Sequence, residues 1–243
     1  MIRKIGLAFS LTGFVLVHLV FAYLVFWLAG LIFDQTISSA SRASTGYAIA
    51  IDVCLVALFG FQHTSMARNA FKSFSSSMVV TGLERTVYVW SSVVVLFVLV
   101  HLFQPIPITL WKIDNILAQI VIWALFVIGW AIASAAYLSV GIFYLLGVSQ
   151  AMAWYRNAPQ PPPPLVDGYA YRLVRNPQQL GLLIAFWSTP HMTVGHLIFA
   201  AAMSVYIVVG MAFEERDLIE RHGKSYIDYK KRVPAIIPNI FRR

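Results

Sequence analysis

Four apolar stretches, at about 6–33, 47–67, 86–104 and 115–140, dominate the first half of the chain. Each supplies the roughly 20 mainly apolar residues that a helix needs to cross a bilayer. A soluble domain cannot wet four such runs. Composition agrees: of 243 residues, 59% are apolar and 12% charged, and the mean hydropathy is +0.74. The expected fold is an all-α integral membrane protein. The first run is too long for a signal-peptide core and lacks a small-residue cleavage pattern, so it reads as a retained helix.

A fifth apolar region, 178–213, is broken at Thr189-Pro190-His191-Met192-Thr193-Val194-Gly195. Proline and glycine at its middle predict a C-terminal helical hairpin whose first leg can dip into the membrane without crossing it. The count is therefore four clear transmembrane helices plus the hairpin, five to six membrane segments in one domain spanning 1–243. Residues 141–156 either continue the fourth helix or lie along the interface, where Trp154, Tyr155 and Arg156 are at home. Pro159-Gln160-Pro161-Pro162-Pro163-Pro164 forms a stiff polyproline II spacer and separates residues 1–140 from a C-terminal region, 157–243.

A net charge of +8 would suggest nucleic acid for a soluble protein, but here the charges sort by side. With the amino terminus in the cytosol, the loops at 67–85 and 151–177 and the tail from Glu214 are cytosolic too. Together with Arg3 and Lys4 they hold 16 of the 18 Lys and Arg residues, leaving only Arg42 and Lys112 outside. That is the positive-inside pattern. It places both termini on the cytosolic side of an inner membrane, with the basic tail beside anionic lipid. No nucleic-acid partner is expected, and self-association stays open. Cys54 is the single cysteine, so an intramolecular disulfide is impossible and no metal site is expected.

Two polar constellations interrupt the apolar background. One ends the second helix and begins the third: Phe59-Gly-Phe-Gln-His63-Thr-Ser-Met-Ala-Arg68, then Gly82-Leu-Glu84-Arg85-Thr-Val-Tyr88. Ionisable groups at membrane depth are costly unless paired or used. Glu84 and Tyr88 are four apart, and Arg85 and Tyr88 three apart, so they are neighbours on a helix. An antiparallel hairpin would bring His63 and Arg68 to their depth. The plainer alternatives are arginines that snorkel to lipid heads and a packing histidine. His18 and His101 lack polar neighbours in sequence and read as structural.

The other constellation is Gly168-Tyr-Ala-Tyr-Arg-Leu-Val-Arg-Asn-Pro-Gln-Gln-Leu-Gly181, followed by Glu214-Glu215-Arg216-Asp217, His222-Gly223, Tyr226, Tyr229 and Val233-Pro234-Ala-Ile-Ile-Pro238. Pro177 suits a first helical position, so backbone N–H groups and the positive helix end face Arg175 and Asn176, where a carboxylate can bind. Arg172 and Arg175 can add a charged fork, and Glu214 or Glu215 can accept from ribose hydroxyls. Each arginine can instead anchor the loop to lipid phosphates. Asp217 and Arg221 read as an ordinary surface pair.

This second segment resembles the C-terminal half of the isoprenylcysteine carboxyl methyltransferase superfamily, over about 75 residues. The resemblance implies S-adenosylmethionine as cofactor, in reach of Tyr169, Arg172, Arg175, Asn176, Pro177, Gln179, Glu214, Glu215, Tyr226 and Tyr229. Asn176 stands where that superfamily usually has His, so a hydrogen-bonding role survives there and an acid-base role does not. The His63 pattern is similar to the methanethiol S-methyltransferase branch, related to NnrU-like membrane proteins. Together the motifs span nearly the whole chain and imply methylation of a small thiol, methanethiol to dimethyl sulfide, with membrane lipid around the protein.

Methyl transfer from a sulfonium to a thiolate neutralises charge, so a dry pocket favours it provided the thiolate can form. His63 is the expected base, Arg68 or Arg85 the compensating cation, and Glu84 or Tyr88 the orienting group. The two constellations are expected to meet at the inner leaflet. Two alternatives stand beside this reading: an isoprenylcysteine carboxyl or phospholipid methyltransferase, and a non-catalytic NnrU-like membrane protein that binds haem or quinone.

Overall fold

The computed structural model describes all residues except 41–42, 69–70, 72–77, 163–168 and 239–243, and the side chain of Tyr169. Arg42, Lys72, Pro163, Pro164, Gly168, Arg242 and Arg243 therefore lie outside the described residues. The elements are α1 (Ile2–Ala29), α2 (Thr45–Ala67), α3 (Glu84–Leu102), β1 (Thr109–Lys112), α4 (Ile116–Ser139), α5 (Ile142–Leu145), α6 (Val148–Arg156), a 3-10 turn (Tyr169–Arg172), α7 (Pro177–Trp187), β2 (His191–Thr193), α8 (Val194–His222) and α9 (Lys224–Arg232). Among the described residues, five helices, α1, α2, α3, α4 and α8, are long and apolar enough to cross a membrane. Many of their large apolar side chains point outward, among them Leu19, Leu58, Val94, Ile120, Val127 and Val205. Apolar surface on that scale marks a protein solvated by lipid. The fold is an all-α integral membrane protein.

The hairpin expected near the C-terminus is present but uneven. Its first leg, α7, has 11 residues, too few to cross, whereas α8 has 29 and carries Glu214–Asp217 on its far end. Between them β2 pairs antiparallel with β1, a small ladder that no alternation in the sequence announces. The fourth helix stops at Ser139. A turn through Gly141 leads into the separate short helices α5 and α6.

The chain forms two compact units. One holds residues 1–108 and 140–164, the other 109–139 and 165–243, so α4 belongs with the C-terminal segment although it precedes the proline run.

In the first unit α3 packs between α1 and α2. Phe9 stacks on Trp90 at 5.1 Å, and the Trp90 indole lies against Gly13. Ser10 and Thr86 join α1 to α3 through a buried hydroxyl pair at 3.1 Å. At the other end Trp27 meets Phe103 edge-on, and buried Asp52 accepts the Gln104 amide proton at 2.7 Å.

In the second unit α4 lies directly on α7. A Cβ at Gly129 would come within 2.7 Å of the backbone of Gly181 and Ala185, and one at Gly181 within 2.5 Å of that of Gly129 and Ala133. This is a small-xxx-small seam, the device by which helices approach closely in lipid. Phe186 seals it between Trp130 and Phe199.

Candidate functional site

The first cluster is built by the α2–α3 pair. His63, four residues before the end of α2, has its Nε2 2.7 Å from the Tyr88 hydroxyl and its Nδ1 3.3 Å from the Ser92 hydroxyl. Both ring nitrogens thus face hydroxyls on α3. A neutral imidazole has one N–H and one lone pair, so one hydroxyl accepts and the other donates. Arg85 covers the Tyr88 ring at 5.0 Å, and its Nε donates to the Leu145 carbonyl at 2.6 Å.

That last bond reaches the backbone just before Gly147. Gly147 has φ +84°, and a Cβ there would lie 2.9 Å from the Thr86 amide nitrogen. Only glycine allows both the turn and the approach.

Glu84 faces a different way. It sits in the first turn of α3, and its carboxylate accepts from the Gly82 amide at 2.7 Å, a stabilising place for a negative charge. Arg68 lies just past the end of α2, half-buried. The structure therefore brings together His63, Tyr88 and Arg85, while Glu84 closes its own turn. Ser92 was absent from the expected set, although it lies one helical turn after Tyr88 and hence on the same face. Gln62, one residue before His63, reaches the same hydroxyl, its Nε2 3.5 Å from Ser92 Oγ.

The second cluster gathers the start of α7, the end of α8, α9 and the tail. Arg175 donates from Nε (2.9 Å) and Nη2 (2.6 Å) to Glu215, and from Nη1 to the carbonyls of Lys230 and Val233. Lys230 closes the group on the other Glu215 oxygen at 2.7 Å. Arg175 and Glu215 have side chains only 9% and 15% exposed. They form an internal clamp that holds the tail to the hairpin. The backbone follows: the amides of Arg175 and Asn176 donate to the carbonyls of Pro234 and Ala235.

Asn176 is buried, and its side-chain amide donates to the Ala235 carbonyl at 3.2 Å, so it does not cap α7. Pro177 occupies the first helical position, and Gln179 follows half-buried in the same turn. Arg172 and Glu214 are exposed. Tyr229 donates its hydroxyl proton to the Tyr171 carbonyl at 2.7 Å and lies 5.8 Å from the Tyr226 ring.

Burial pushes the Tyr171 and Tyr226 phenols up to about 12, with Glu214 adding to the first and Glu215 and Glu214 to the second. Burial raises Tyr229 as well. All three act as neutral hydrogen-bonding groups at physiological pH. Of Tyr169 only the backbone is described. Lys230 and Tyr171 were not in the expected set. Their partners are 15 or more residues away in sequence, beyond any local pattern.

No protein-family model matches the chain, and no solved structure matches it. Among curated proteins it is 40% identical over 213 residues to the methanethiol S-methyltransferase of Pseudomonas deceptionensis, covering 86% of this chain and 79% of that protein. It is 34% identical over 239 residues to the methanethiol S-methyltransferase of Crocosphaera subtropica, covering 95% and 94%. A more distant likeness, 27% over 191 residues, links it to a nurim homolog of Drosophila melanogaster, at 75% of each chain. Identity at that level along nearly the full length, in a chain with the expected membrane helices, places it in the methanethiol S-methyltransferase family.

Proposed function

We propose that the protein transfers a methyl group from S-adenosylmethionine to methanethiol, releasing dimethyl sulfide, at the cytosolic face of an inner membrane. The observation that carries this reading is the His63 cluster: an imidazole held by two hydroxyls between apolar helices, with a fixed guanidinium over the Tyr88 ring that bears one of them.

Thiolate formation in such a place needs a proton acceptor and a compensating cation. The hydroxyl that donates to His63 hands its proton to the ring and takes the S–H proton in its place. The sulfur lone pair would then be free to take the methyl group that bound S-adenosylmethionine would supply, with the S–H proton's charge held on the imidazolium. Arg85 stays where Leu145 holds it and offsets the charge of the thiolate. Arg68 adds positive charge near the same helix end, and Glu84 keeps the first turn of α3 in place.

The second cluster suits a zwitterionic nucleoside. When bound, S-adenosylmethionine supplies an electrophilic methyl group on a sulfonium. Asn176 leaves the α7 amides of Gln178 and Gln179 without a side-chain cap, which suits a carboxylate, and exposed Arg172 adds charge. Exposed Glu214 suits ribose hydroxyls, and the Tyr226 ring offers an apolar face. Arg175, Glu215 and Tyr229 are engaged internally and frame these groups. The cytosolic placement follows from the 16 of 18 basic residues on one side.

Membranes containing the protein, supplied with methyl-deuterated S-adenosylmethionine and methanethiol, should release dimethyl sulfide carrying one deuterated methyl group. Labelled product no higher than in membranes lacking the protein would overturn the reading.

A further inference from the structure

The helix α9 has two unlike faces. At roughly 100° per residue, Tyr226, Tyr229 and Lys230 share its inner side, where Tyr229 bonds to the Tyr171 carbonyl and Lys230 to Glu215. The other side carries Lys224, Ile227, Asp228 and Lys231 in an i, i+3, i+4, i+7 row, with Arg232 beside them. Lys224, Ile227, Lys231 and Arg232 are all exposed. Asp228 is matched within the row by Lys231 at 3.1 Å, so the face keeps a net positive charge. Beyond α9 the chain returns to the membrane helices of its own unit: the Arg175 and Asn176 amides hold the Pro234 and Ala235 carbonyls, just before α7 begins at Pro177. Gly181 packs on Gly129 and Ala133, and Ala185 on Gly129, so α7 runs antiparallel to α4 and starts beside its last turn. The 24 residues of α4 span about 36 Å against about 30 Å of hydrocarbon, which puts the start of α7 at the edge of the bilayer. Leu173 and Ile237, each two residues from this joint, are 66% and 80% exposed.

We propose that this surface docks on anionic phospholipid of the surrounding membrane, with Leu173 and Ile237 dipping into the interface and Lys224, Lys231 and Arg232 meeting lipid phosphates. Charge and depth together name the occupant. Exposed apolar side chains at the bilayer edge beside a row of cations match a charged lipid surface, whereas a soluble anion would leave the apolar groups unmatched. Docking also bears on the tail's inner side. With lipid on one face of α9 and the Arg175–Glu215–Lys230 clamp on the other, Tyr226 and Tyr229 are held against the hairpin. The consequence for the donor rests on the methyl-transfer reading: S-adenosylmethionine binds more tightly on an anionic membrane than on a neutral one.

The full chain in nanodiscs of phosphatidylcholine, with and without phosphatidylglycerol, tests this. With an environment-sensitive fluorophore on Ile237→Cys in a Cys54→Ala background, phosphatidylglycerol should shift the emission to the blue. High salt should reverse the shift, and Lys224→Gln, Lys231→Gln and Arg232→Gln combined should abolish it. Without the label, S-adenosylmethionine should bind the parent about 5-fold more tightly in the anionic discs, the share of one basic residue at such a surface, and bind the triple variant equally in both. Emission indifferent to lipid charge in the parent, or equally responsive in the triple variant, would overturn the proposal. So would a blue shift produced by soluble glycerophosphate in neutral discs, which would make this a free-phosphate site. Equal donor affinity of the parent in both discs would overturn the coupling. A lipid-dependent shift with no S-adenosylmethionine bound in either disc would support docking while defeating the methyl-transfer reading.

Discussion

Arg175 turns its guanidinium inward, onto Glu215 and two tail carbonyls. Its value is therefore to stability first. Removing one partner of a well-buried pair costs about 3–5 kcal/mol, and because Lys230 still neutralises Glu215, Arg175→Gln should sit near the low end, about 3 kcal/mol. Thermal unfolding in detergent would register the loss, and trypsin should cut sooner at Lys230 and Lys231. Glu214→Ala, at an exposed position beside the clamp, should leave the unfolding temperature almost unchanged and weaken donor binding instead. Equal stability of Arg175→Gln and the parent would remove the clamp. The sequence shows these residues as charges near a helix start, but not which of them face each other. Arg175 and Arg172 look equivalent on paper, yet the first is buried against Glu215 and the second exposed. The partner that separates them lies 40 positions along the chain.

At the scale of elements, the apolar runs place the long helices within a few residues of where they lie, because crossing hydrocarbon is decided by length and composition alone. The α4–α7 seam was equally present in the sequence, as Gly129 with Ala133 and Gly181 with Ala185, but two small-xxx-small pairs become a contact only once their helices are side by side. The β1–β2 ladder was not legible: three or four residues joined across about 80 positions carry no periodicity. The seam gives a contrast. Gly129→Val should destabilise by about 1–3 kcal/mol through overpacking, while Gly46→Ala, with nothing within 4 Å of an added Cβ, should fall within about 0.5 kcal/mol of the parent. Denaturant midpoints read both, and indifference at Gly129 would mean that the seam is looser than described.

At the scale of the whole molecule, one unit holds the His63–Tyr88–Ser92 cluster and the other the Arg175–Glu215 clamp. The motif order was legible from the start because each cluster is contiguous or nearly so, whereas Ser92 and Gln62 gained meaning only when α2 and α3 were paired. The most direct measurement is the turnover of methanethiol by His63→Ala, taken alongside its affinity for S-adenosylmethionine. Turnover should fall about 10²–10⁴-fold, the usual share of a positioned acid-base group, with donor affinity unchanged. A fully active His63→Ala protein would contradict the account.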